Sequence, residues 1–98
     1  MGVSVFIQNQ IHEKIAEVAG YASNTLDDVI SQAPAGSLTR GINRHADTMF
    51  NTTQLNLFID EIASFVPGND SERELFKVLR DAAESAIRQR GYLWFSGD

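Results

Sequence analysis

Two histidines and thirteen carboxylates are the residues with which this chain has to do chemistry, since it contains no cysteine. Thiolate zinc sites and disulfide staples are therefore excluded. His12 and Glu13 lead into Glu17, but a metal-binding helix sets its ligands four residues apart and position 16 is alanine. That trio reads as a solvated face, and neither a metal nor a cofactor is expected. His45 and Asp47 lie close enough for a carboxylate to orient an imidazole as a general base. Such a pair needs an activated nucleophile as its third member, and no strained G-x-S-x-G elbow supplies one.

Arg40, Arg44 and His45 form a small basic island between two acidic stretches. Together with Asp47 and Asn51 they make the candidate binding set, suited to an anionic ligand or an acidic motif of a partner. The plainer alternative is that the arginines bond helix-end carbonyls or pair with surplus acids. Asp27-Asp28 and Asp60-Glu61 are acidic pairs assigned to outer helix faces, and neither has the central glycine and alternating oxygens of a calcium loop.

These residues need elements to hold them. Val3, Val5 and Ile7 alternate with Ser4, Phe6 and Gln8, which predicts a strand buried on one face. From Ile11 through Ile15, Val18, Ala22, Leu26, Val29 and Ala33 the apolar spacing turns helical and predicts one long amphipathic helix ended by Pro34, with Gly20 inside it at a bend. Residues 35–50 read as a connection with one helical turn around His45 to Met49. Asn51, with Gln54 three residues on, predicts a capping box opening a second helix to about Phe65. Pro67-Gly68-Asn69-Asp70 is a turn. Ser71 and Glu74 open a third helix, with Lys77–Asp81, Arg80–Glu84 and Glu84–Arg88 as ion pairs on its outer face and Gly91 as its stop. Tyr92 to Phe95 closes the chain as an aromatic strand, with Tyr92 and Trp94 expected in the core.

The layout is thus β-α-α-α-β, an α+β single domain over 1–98. Its terminal strands pair with each other, in parallel after three reversals, and leave two free edges for a second copy or a partner.

The bulk figures agree with one small globular domain. The 98 residues are 43% hydrophobic and 21% charged, with a net charge of −5. An acidic balance disfavours nucleic acid and anionic lipid and suits a basic partner. The opening segment lacks a basic region and a long apolar run, and no later window resembles a membrane span, so a cytoplasmic protein is expected. Met1-Gly2 is no myristoylation start, because Phe6 stands where that signal wants Ser or Thr.

D-x-M-F-N at Asp47 to Asn51, Q-x-x-x-F-x-x-E at Gln54 to Glu61, and Y-L-x-F-x-G-D at Tyr92 to Asp98 resemble a family of small bacterial proteins without an assigned function. That resemblance implies a bacterial source and brings no activity with it. In size and acidity the chain is also similar to immunity proteins that neutralise bacterial toxins. The expectation is a non-enzymatic protein–protein interaction module, of inhibitor or immunity type, for a basic partner. The alternatives are a small-ligand or enzymatic domain centred on Arg44, His45 and Asp47, and a structural homodimer joined through strand edges.

Overall fold

The computed structural model describes residues 3–97; Met1-Gly2 and the Asp98 that closes the last motif lie outside the described residues. The chain is α+β, with strands β1 (Ser4–Gln8), β2 (Lys14–Glu17), β3 (Asp47–Phe50) and β4 (Tyr92–Ser96) and helices α1 (Ser23–Gln32), α2 (Thr52–Ala63) and α3 (Asp70–Arg88). The strands form one antiparallel sheet in the order β2-β1-β4-β3.

The terminal strands do pair, Ser4 with Ser96 through to Gln8 with Tyr92, but they run antiparallel and occupy the centre of the sheet. The β-α-α-α-β layout is corrected at two places. The long first helix is replaced by a hairpin and a shorter helix. Asn9 accepts the backbone N–H groups of Ile11 and Glu13 on its side-chain oxygen, and His12 takes φ 64°, so the chain turns back and pairs as β2. Gly20, with φ 93°, then breaks any helical path before α1. Ile11 stays 73% exposed, so the four-residue spacing that suggested a helix buries nothing at its first position. Pro34 acts as expected, with α1 ending in an extended Ala33.

In the second correction, the turn of helix around His45 to Met49 is the edge strand β3. Two added reversals cancel in such a count, so the parallel expectation fails in how the connections run: β4 lies opposite in direction to both β1 and β3.

Asn51 and Gln54 form the reciprocal capping box of α2, as their spacing predicts. At α3 the expected Ser71–Glu74 box is not the cap: Asn69, two residues after Pro67, accepts the Glu72 N–H, and Asp70 and Ser71 already lie in the first turn. The anticipated ion pairs four apart on α3 are not made; Arg73 bonds Asp70 at 2.7 Å and Arg80 approaches Asp81 at 3.9 Å, both pairs exposed. The left-handed residue after α3 is Arg90 (φ 55°), not Gly91.

All three helices lie on one face of the sheet. Val5 and Ile7 of β1, Leu93 and Phe95 of β4 and Phe50 of β3 meet Leu26, Leu55, Phe58, Leu75 and Leu79 in one buried cluster. Phe50, Phe58 and Phe95 touch mutually, with centroids 5.3 to 6.0 Å apart.

Tyr21 ties the hairpin to this body by donating its hydroxyl to the carbonyl of Val3 at 3.1 Å. Burial, with the Glu17 carboxylate adding to it, raises the hydroxyl's pKa above the ordinary 10.0. The unfolded chain therefore ionises here first, so stability is complete below about pH 10 and falls as pH rises further. Urea midpoints at about pH 8 and about pH 11 should show a shallower alkaline loss in Tyr21→Phe, which also gives up about 1 kcal/mol at neutral pH with the hydrogen bond. Parallel pH profiles for the two proteins would contradict this.

Candidate functional site

With helices on one face only, the alternate positions of each strand stand on the other. Strand register puts Phe6, Trp94 and Met49 in one row across β1, β4 and β3. Ser4, Ser96 and Asp47 make the next row, and Gln8 and Tyr92 lie beyond Phe6 on the opposite side. A fully solvated sheet face carries polar residues at such positions. Here the central row is two aromatics and a methionine.

The Phe6 and Trp94 rings lie 5.1 Å apart. Lys14, from β2, crosses them with its ammonium 3.9 Å from the Phe6 centroid and 5.3 Å from that of Trp94, within cation–π range. A bulge between Ile7 and Gln8 shifts the register so that Gln8 faces Lys14 while Phe6 faces Glu17. At the other end His12 stacks on Tyr92 at 4.1 Å and its Nδ1 is 3.1 Å from the Gln8 side-chain oxygen. Its left-handed backbone is what swings the imidazole back over the sheet.

The face is thus an aromatic platform with a cation resting on it and carboxylates, Glu17 and Asp47, on either side. Phe6, Tyr92 and Trp94 are half-buried and Met49 is 45% exposed. Tyr92 and Trp94 therefore stand outside the core, which takes Leu93 and Phe95 of the same strand.

The residues singled out from the sequence are divided by the fold. Arg40, Arg44 and His45 line one open concavity of about 470 Å³ beside the end of α1. Arg40 is held there by a hydrogen bond from its guanidinium to the carbonyl of Ala33, the helix-end role expected of a loop arginine. Asp47 begins β3 on the sheet face, exposed, and does not line that concavity. Asn51 accepts the Gln54 N–H as the cap of α2. His45 and Asp47 accordingly do not converge in one pocket.

Comparison with family models, curated proteins and solved structures finds no significant match. The site has to be read from its own chemistry.

Two acids also change place. Glu61, assigned to a solvated face, turns inward and accepts the N–H groups of Leu38 and Thr39 and the Thr39 hydroxyl. Asp27 is half-buried, with one carboxylate oxygen lacking a hydrogen-bond partner among the described residues. The signal for the platform was nevertheless present in the sequence. Phe6 and Trp94 occupy the positions that alternation assigns away from the core, where a strand merely covered by water carries polar side chains.

No helix of the described residues is long and apolar enough to cross a membrane.

Proposed function

We propose that this chain is a non-enzymatic protein-interaction module that receives a basic segment of a partner on the open face of its sheet. The observation that carries this reading is the Lys14 ammonium over the Phe6 and Trp94 rings. A ring pair that accommodates the chain's own cation offers the same quadrupole to an arginine or lysine from outside. Glu17 and Asp47 on that face, and a net charge of −5, favour a basic visitor and speed its approach. Trp and Tyr are the residue types that dominate interface energies.

Strand-edge pairing is the weaker route. The central strands have no free edge, and the outer ones are four residues long, one of them bearing Lys14 and facing a bulge. Neutralising a basic protein, as an immunity protein does, is one role that a face of this kind suits.

Trp94 is the only tryptophan, so it reports on the platform directly. Trp94→Ala should weaken capture of a partner from extract of the source organism by roughly 30-fold, the loss typical of a central aromatic anchor. Its stability should fall by only about 1 kcal/mol, because the ring packs outside the core. A partner retained equally by wild type and Trp94→Ala would sink this reading.

A further inference from the structure

A second surface, on the helical side, has the opposite polarity. Where α2 ends and α3 passes it, Ile62, Phe65, Pro67 and Phe76 floor a groove of about 310 Å³. Arg73, Lys77 and Arg80, at i, i+4 and i+7 on α3, line the same groove, and no acid does. Cations segregated around an apolar floor are unexpected in a chain carrying −5 overall.

The groove continues. The Phe65 and Phe76 rings, 5.8 Å apart, also line a neighbouring concavity of about 140 Å³, where Val29, Pro34 and Val66 add apolar surface. Val66 is 89% exposed, the most open large apolar side chain among the described residues. The only acid lining that second concavity is Glu72, whose carboxylate accepts the Gly68 N–H. The path therefore has a cationic end and an acid-bearing end.

We infer that this groove binds a short segment of a partner protein combining apolar anchors with carboxylates, its anchors on Phe65 and Phe76 and its acids toward Arg73, Lys77 and Arg80. Charge complementarity selects the acidic segment. The open form of the groove selects a peptide over an acyl chain, which gains little from burial on one side only. The cations are available at small cost. Arg73 is held by Asp70 and Arg80 lies near Asp81, but both pairs are exposed, and such pairs exchange easily for a ligand carboxylate. This site is independent of the sheet face and stands or falls without it.

The test uses the full chain labelled with nitrogen-15 and a blocked octapeptide of alternating Asp or Glu with Leu or Phe. A control peptide of the same order carries Asn and Gln for the acids. Amide shifts should cluster at 62–67 and 73–80 and leave β4 still, and the acidic peptide should bind about tenfold tighter than the control, an advantage that added salt reduces. Lys77→Gln with Arg80→Gln should remove that advantage; both side chains are on an outer helix face, and an unchanged spectrum elsewhere confirms folding. Equal binding of the two peptides, shifts confined to the sheet face or to residues 40–45, or an unaffected double variant would overturn the inference. So would capture by phosphatidylglycerol vesicles in place of the peptide, or no binding at about 1 mM peptide.

Discussion

Gly91→Ala should be among the most damaging single changes, with an expected loss of about 3 kcal/mol or more, the upper range of forced overpacking. Gly91 is buried, immediately before β4. A Cβ there runs into the carbonyl oxygen of Gln8 and comes 2.9 Å from its carbon and 3.1 Å from the Cα of Asn9. These are backbone atoms at the end of β1, fixed by the Gln8–Tyr92 pairing, so no side chain can swing aside. The central strand pair has to open, and the platform opens with it. Gly36→Ala is the natural comparison. It meets nothing within 4 Å, and its φ of 86° costs about 1 kcal/mol of strain. Urea unfolding followed by circular dichroism gives both values. A Gly91→Ala loss no larger than that of Gly36→Ala would mean that β1 and β4 do not approach as described.

Glu61→Ala is the second large effect. The carboxylate bonds Leu38 N at 3.0 Å and Thr39 N at 2.7 Å, besides the Thr39 hydroxyl, and Thr39 is fully buried. Truncation leaves three donors without their acceptor, at about 1 to 3 kcal/mol for a buried group. An expected total of about 3 kcal/mol allows for water entering to satisfy the outermost of them. Alanine is the best helix former, so the loss does not come from α2 itself. Glu61→Gln keeps one oxygen and should lose roughly half as much. Hydrogen exchange should locate the damage in residues 37–42. A neutral Glu61→Ala would show that this loop is held by other contacts.

Both effects touch residues whose roles were only partly readable. The sequence motif around Gln54, Phe58 and Glu61 proves structural at each position: cap partner, core ring and loop anchor. The α2 cap and the period-two runs were legible because their physics is local, whereas before α3 several capping residue types stand in a row and Asn69 takes the role read for Ser71. Asn51 with Gln54 needs nothing outside four residues, and Val5, Ile7, Leu93 and Phe95 declare their buried side by alternation.

The hairpin was not legible. Ile11 and Ile15 sit four apart by coincidence of a turn and a bulged strand, and only the Asn9 side chain and the left-handed His12 decide the matter. Strand β3 is too short, at four residues, for alternation to register. Glu61 illustrates a further limit. Its partners lie 22 and 23 residues away, and helical periodicity alone assigns it to water. The basic island was visible as composition, yet the fold separates Asp47 and Asn51 from it.

Of the claims made for this molecule, the sheet face as the surface that meets a partner is the central one. A photo-activatable benzoylphenylalanine at position 49, in the exposed row beside Trp94, tests it most directly inside the native cell. A discrete adduct should form there, weaken when Trp94 is alanine, and be absent when the probe replaces exposed Asp28 on α1. An adduct at position 28 with none at position 49 would contradict the account.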